Sequence, residues 1–233
     1  MKRLLLMAMA ALLLSIGAAC SGPEEDGDAA YYRHDYAAAL RVFRPRAAQG
    51  NAAAQFRLGS MYANGQGVAQ DYAEAVKWYQ LAAKQKHTDS ELSLGTMYFK
   101  GQGVAQDYAE AMKWYRLAAE RGNAEANFLL GEMYGSGQGV TQDYADAAGW
   151  FREAAKRRHS KAQFNLGLMY ASGQGVRQDL VRAYLWLSLG AASGDADAVK
   201  NRDSVAKRMA PEQIAEAQKL VSDCPPREFS RCD

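Results

Sequence analysis

A period of 36 residues runs through this chain, and it limits the possible folds more than any motif does. Asp35-Tyr36, Asp71-Tyr72, Asp107-Tyr108, Asp143-Tyr144 and Asp179-Leu180 follow one another at that spacing. The register also holds inside the unit. Leu58-Gly59, Leu94-Gly95, Leu130-Gly131 and Leu166-Gly167 coincide, as do Met61-Tyr62, Met97-Tyr98, Met133-Tyr134 and Met169-Tyr170. A fixed period of this length without insertions marks a stacked repeat, in which each unit buries its apolar face against its neighbours.

Each unit reads as two helices. Tyr72, Ala75, Val76, Tyr79, Ala82 and Ala83 fall at helical spacing and form one apolar stripe. Asp71 precedes that stripe as an N-cap, and Asn51 or Asn123 precedes a second helix carrying Leu, Gly, Met and Tyr. Between them lies Gly65-Gln66-Gly67-Val68, repeated at residues 101–104, 137–140 and 173–176. Its glycines permit the positive φ that closes a helix, and Val68 is placed to pack onto the core. A phosphate loop would need a preceding strand and a Lys-Ser/Thr pair, and a calcium loop would need several oxygen ligands. The stretch has neither, so it reads as a joint. Trp78, Trp114, Trp150 and Trp186 share one repeat position. Periodic aromatics of this kind are expected in the core rather than in a glycan-binding stack.

The unit DYAEAVKWYQLAAKQKHTDSELSLGTMYFKGQGVAQ, with its A-x-x-W-Y-x-x-A-A, L-G-x-M-Y and G-x-G-V pieces, resembles the Sel-one-like repeat (SLR), a relative of the tetratricopeptide repeat. The resemblance implies an all-α fold: a right-handed α/α solenoid of five helix pairs plus a C-terminal capping helix, whose concave surface binds partners. The units are expected at residues 35–70, 71–106, 107–142, 143–178 and 179–222, with a tail at 223–233. Three features depart from the pattern. Pro45 inside a helix is expected to kink or shorten it. Lys86-His87 and Arg158-His159 replace the Gly-Asn turn of Gly50-Asn51 and Gly122-Asn123, which predicts strained or reshaped turns. One branch of the family, associated with penicillins, carries a cysteine pair in each repeat. This chain has no cysteine between Cys20 and Cys224, so that activity does not transfer.

The N-terminus begins Met1-Lys2-Arg3, followed by an apolar stretch ending Gly17-Ala18-Ala19-Cys20. This predicts a signal peptide over residues 1–19. The pattern resembles a bacterial lipoprotein signal with Cys20 as the lipidated residue, although Gly17 stands where leucine is usual. Ordinary cleavage after Ala19 and an uncleaved anchor also fit. Ser21 resembles the second residue of outer-membrane lipoproteins. Residues 20–34 are expected to form a flexible, acidic linker. An exported location is thus expected, periplasmic and at the outer membrane, with soluble secretion as the alternative. Setting Cys20 aside leaves Cys224 and Cys232, an expected disulfide in an oxidising compartment, with unpaired thiols as the alternative.

Charge gives no sign of a nucleic-acid partner. Lys and Arg total 28 and Asp and Glu 26, and removal of Lys2 and Arg3 makes the balance even. The basic run Lys156-Arg157-Arg158 closes a predicted helix and complements its dipole. Ser204-Val205-Ala206-Lys207 matches a Ser-x-x-Lys pattern without the companion motifs of penicillin-interacting enzymes. His34, His87 and His159 are not spaced as ligands on one helix. The expectation is therefore no catalysis, no cofactor and no metal.

A binding surface has more support. Arg41, Lys77 and Lys113 occupy one repeat position; Arg44, Gln80, Arg116 and Arg152 occupy the next, with Glu74, Glu110 and Asp146 beside them. If these helices line a concave face, the cations form a ladder for a peptide or an anionic group. Pairing of Glu74 with Lys77 and Glu110 with Lys113 along a solvated face is the competing reading. The expected function is a monomeric scaffold for another envelope protein or peptide, touching the membrane only through its lipid. Binding or processing of peptidoglycan or a β-lactam-type ligand is an alternative, as is assembly of an envelope machine.

Overall fold

The computed structural model describes residues 23–224. Cys20, Cys232 and the signal segment lie outside them. Among the described residues every regular element is a helix: α1 (Pro23–Tyr32), α2 (Tyr36–Ala48), α3 (Ala52–Asn64), α4 (Tyr72–Lys84), α5 (Thr88–Lys100), α6 (Tyr108–Glu120), α7 (Ala124–Ser136), α8 (Tyr144–Lys156), α9 (Ser160–Ser172), α10 (Leu180–Ala191), α11 (Ala196–Ala206) and α12 (Pro211–Asp223). This is an all-α solenoid of helix pairs. The chain divides into two compact units, with the boundary between Ala82 and Ala83.

In the first unit, Ala39, Leu40, Phe43, Leu58 and Met61 form a buried core, with Val68, Tyr36 and Trp78 packed around it. The caps stand where the repeat places them. The Asp35 carboxylate accepts from Ala38 N at 3.0 Å, Asn51 Oδ1 from Ala54 N at 2.8 Å, and Asp71 from Glu74 N at 2.9 Å. Each cap satisfies an N–H that the first helical turn leaves without a partner. Pro45 does not shorten α2, which keeps 13 residues like its neighbour α3.

One expectation is corrected here. The segment read as a flexible linker is helical from Pro23 and closes the core. Gly27 lies so near Phe43 that a Cβ added there would sit 2.8 Å from the ring, and Ala30 is 3% exposed. Arg57 of α3 reaches Asp28 at 2.7 Å, donates to the Tyr32 hydroxyl at 3.1 Å and lies 5.4 Å from the Tyr31 ring centre. The acidic composition that suggested disorder supplies the partner for Arg57.

In the second unit the same grammar recurs. Asp107, Asp143 and Asp179 cap α6, α8 and α10, and Asn123 caps α7. The joints explain their letters. In the loop after α7, Gly137 takes φ +74° and closes the helix in a left-handed cap. Gln142 Nε2 donates to Gly135 O at 2.7 Å, and Asp143 N donates to Tyr134 O at 3.0 Å. Gln106 and Gln178 repeat the bond on Phe99 O and Ala171 O. The Gly-x-Gly loop is thus a helix-capping joint, with its glutamine as a C-terminal clamp.

The two departing turns keep the shape of the glycine turns. Lys86 and Arg158 take φ of 66° and 67°, in the left-handed region that Gly122 occupies at 85°. His87 and His159 take over the asparagine role: Nδ1 accepts from Ser90 N at 3.3 Å and from Ala162 N at 3.2 Å. The strain sits in the backbone of Lys86 and Arg158. At the C-terminal end α11, with the sequence ADAVKNRDSVA, occupies the place that the L-G-x-M-Y helix holds in the earlier units. α12 closes the array through Ala217, which is fully buried in the core around Trp186 and Leu187. Trp186 is 0% exposed, whereas Trp114 and Trp150 are half-buried.

Candidate functional site: cation rows on the first helices of the units

The residues of the expected ladder lie on α2, α4, α6 and α8, opposite the buried stripes. Arg41 and Arg44 are exposed on α2. Lys77 donates to Glu74 at 2.8 Å and Lys113 to Glu110 at 2.7 Å, each one turn back on its own helix. These hydrogen bonds hold both ammonium groups above the usual lysine range. The two lysines therefore adopt the geometry of a solvated, self-paired face. Gln80 is half-buried on α4.

The arginines behave differently. Arg116 Nη2 donates to the Tyr134 hydroxyl at 2.7 Å, and Arg152 Nη2 donates to the Tyr170 hydroxyl at 3.0 Å. Both bonds join residues 18 apart in sequence, across the short turn between α6 and α7 or between α8 and α9. In each pair the tyrosine hydroxyl orients the guanidinium. The second unit therefore presents two oriented cations one period apart. Arg182, which the sequence reading passed over, lies 6.0 Å from the Tyr170 ring centre and pairs with Asp179 at 2.8 Å. The signal for it was present: Arg182 stands where earlier units carry Asp146, Glu110 and Glu74.

A second feature of this unit is a pair of adjoining clefts of about 380 and 200 Å³. They share Gly135 and Phe151, with Leu129 and Glu132 on one side and Leu168 and Asn165 on the other. Burial pushes the Glu132 carboxyl above its ordinary range, against the opposing pull of Lys161. Also unanticipated was Glu91, 1% exposed and held by Arg121. The other units place Gln55, Asn127 and Gln163 there, buried polar side chains that bond to backbone carbonyls.

The remaining candidates find structural places. Ser204 and Lys207 are exposed at the end of α11. His87 and His159 are helix caps, and His34 bonds the Tyr36 hydroxyl at 2.8 Å. Among the described residues no cluster of three histidine, cysteine or acidic side chains is placed to hold a metal ion. Cys224 is disulfide-bonded and packs against Leu185.

For a chain of capped joints and helix pairs, comparison with known families is decisive. The Sel1 repeat model matches residues 52–87, 88–123, 124–159 and 160–195, more than half of the chain. The chain belongs to the Sel1 repeat family. Sel1 repeat proteins are generally protein-interaction scaffolds and are typically non-catalytic. The family's unit begins at the asparagine-capped helix, half a period after the Asp-Tyr cut. Close packing within the pair agrees with that phase: a Cβ on Gly131 would meet the Phe151 ring at 2.6 Å.

Among solved structures, the chain is similar to c5321, a protective antigen present in uropathogenic Escherichia coli strains that displays an SLR fold. The TM-score is 0.74 at 35% identity, covering 81% of this chain but only 42% of c5321. The Sel1 repeat protein from Oxalobacter formigenes matches with a TM-score of 0.68 at 33% identity, over 85% of this chain and 74% of that one. A putative Sel1 repeat protein from Klebsiella pneumoniae shares the fold, with a TM-score of 0.50 at 24% identity over 77% of this chain and 89% of that one. Comparison with curated protein sequences found no match.

Proposed function

We propose that this Sel1 repeat protein is a non-catalytic scaffold of the bacterial cell envelope that binds another envelope protein through the exposed face of α2, α4, α6 and α8. The observation that carries the reading is the recurrence of Arg116 on Tyr134 and Arg152 on Tyr170. Oriented guanidinium groups at a fixed period suit a partner with regularly placed carboxylates, because little ordering remains to be done on binding. Arg41, Arg44, Lys77 and Gln80 form the corresponding row of the first unit, and Lys113 joins the row of the second.

The envelope location rests on the N-terminal signal pattern, with Cys20 as the lipid-bearing residue. The disulfide at Cys224 supports it, because structural disulfides persist in oxidising compartments. Cys232 is the proposed partner. The protein acts as a monomer, without a cofactor.

The test is capture from envelope extract by the immobilised chain and by a variant carrying R41E, K77E, K113E and R116E. The expected result is a protein retained by the native chain and absent from the variant eluate. Identical capture by both baits removes the cation rows from the mechanism. Absence of any captured protein removes the scaffold reading itself.

A further inference from the structure

One face of the second unit is covered on α10 and open on α6. On α10 that face carries Leu185, Trp186 and Leu189, and both Leu185 and Trp186 are 0% exposed. Their cover is α12, which packs on α10. Ala217 is fully buried in the core that holds Trp186, with Ile214 beside it. Val221 and Cys224 pack with Leu185 and Leu189. Ile214, Ala217 and Val221 stand at i, i+3 and i+7, one stripe of an amphipathic helix.

The equivalent positions are Gly149, Trp150 and Glu153 on α8 and Lys113, Trp114 and Leu117 on α6. The tryptophan is kept in all three helices, but only α6 repeats the leucine beside it. There Trp114 is half-buried and Leu117 is 37% exposed. Lys113 borders the pair and donates to Glu110 at 2.7 Å. What α12 supplies to the matching face is apolar contact: Trp186 Nε1, like Trp114 Nε1, has no hydrogen-bond partner among the described residues. A hydrocarbon-bearing helix suits such a face. A glycan does not, because its hydroxyls need hydrogen bonds that the face leaves unmade.

We propose that Trp114 and Leu117 of α6 dock an amphipathic helix of a partner protein, in the manner in which α12 is held on α10. The inference rests on the scaffold reading and names the shape of the partner. Its helix carries apolar residues at i, i+3 and i+7, with a small one over the indole, as Ala217 is placed in α12. A second copy does not supply that helix from its own α12, because Ala217 is 0% exposed where it lies. Tryptophan is among the residues that carry most of the energy of such interfaces.

The test uses the full chain, labelled with nitrogen-15, and a synthetic peptide with the sequence of residues 210–223, its ends blocked. The readout is the indole N–H signal of Trp114, assigned with Trp114→Phe. The counterpart peptide carries I214D and V221D. Leu117→Glu installs the residue type of Glu153, so its melting temperature is expected to stay close to that of the native chain. The α12 peptide is expected to move the Trp114 signal saturably. Binding should weaken roughly tenfold or more for the counterpart peptide, and equally for the Leu117→Glu chain. An unmoved Trp114 signal, an equal response to both peptides, or equal binding by native and Leu117→Glu chains overturns the proposal. Movement of the Trp186 signal alone overturns it too, because the peptide then exchanges with α12. A native chain that sediments as a dimer, with Leu117→Glu a monomer, replaces the partner by a second copy. Leu117→Glu used as bait in envelope extract separates the two readings. A protein captured equally by native and variant chains leaves the scaffold standing and sinks the helix-docking face. Peptide binding without any captured protein does the reverse.

Discussion

Arg121 presents its Nε–H to both carboxylate oxygens of Glu91, at 3.1 and 3.0 Å, joining α5 to the end of α6 across 30 residues. The carboxylate is almost fully buried, whereas the Arg121 side chain remains one-third exposed at 33%. The two truncations are therefore unequal. Arg121→Ala strands a buried charge and is expected to cost on the order of 3 kcal/mol. Glu91→Gln installs the residue type of Gln55 and Gln163 and is expected to cost less than about 1.5 kcal/mol. In the double variant the glutamine should recover most of the loss. Urea denaturation of the four proteins checks this, and additive losses would show that the pair is not coupled.

Two glycines of the second unit are expected to respond oppositely to alanine. Gly131 faces Phe151 with a prospective Cβ contact of 2.6 Å, so Gly131→Ala should destabilise by about 1–3 kcal/mol. Gly149 lies within α8, with no atom within 4 Å of a prospective Cβ. Gly149→Ala should therefore stabilise by about 0.4–1 kcal/mol, through lost freedom in the unfolded chain. Thermal melts of the two variants would decide the matter. A stable Gly131→Ala would mean that the helices pack less closely than described.

The strained turn offers a gain. Lys86 holds φ 66° where the equivalent positions carry Gly50 and Gly122. Relief of the left-handed penalty, about 1–2 kcal/mol, outweighs the added freedom of glycine when unfolded. Lys86→Gly is expected to raise stability by roughly 0.5–1 kcal/mol. A lowered denaturation midpoint would locate a stabilising contact of the lysine that outweighs its backbone strain.

At His159 the expected loss separates capping from charge. Its Nδ1 caps α9, its Nε2 lies 2.8 Å from Glu125, and its ring stacks on Phe128 at 4.5 Å. His159→Ala should cost about 1 kcal/mol or somewhat more, and His159→Asn should keep the capping share. Equal losses in the two variants would assign the effect to the ring stack and Glu125 instead.

Acidity should report on Glu132. Burial raises its carboxyl pKa in the folded state, so the folded chain binds this proton more readily than the unfolded chain. Its contribution to stability is thus most favourable at low pH and is lost as pH rises through the folded value. Glu132→Gln should raise the melting temperature at neutral pH, with a gain that shrinks as pH falls through the carboxylate range. A gain constant with pH would refute the burial argument.

Much of this protein was legible in the letters because the same solution is written repeatedly. Asp71, Asn51 and Asn123 announced their caps, and the spacing of Tyr79, Ala82 and Ala83 announced the buried stripe. Their logic is local, acting within a turn or two of helix. The segment at 23–34 was harder to read: its acidic and small residues suit a tether, and only Phe43 and Arg57, brought close by folding, make it a helix with partners. Arg116 and Arg152 were singled out for charge, yet what distinguishes them from Lys77 and Lys113 is a tyrosine hydroxyl on the next helix.

By itself, then, the sequence determined the period, the helices, their caps and the joints, because each depends on residues within one unit. Tertiary structure alone decided which polar groups meet across helices: Arg121 with buried Glu91, Arg116 with Tyr134 and Arg152 with Tyr170. A 36-residue period states that helices stack, while the partner of a long side chain depends on the angle and distance at which they do so.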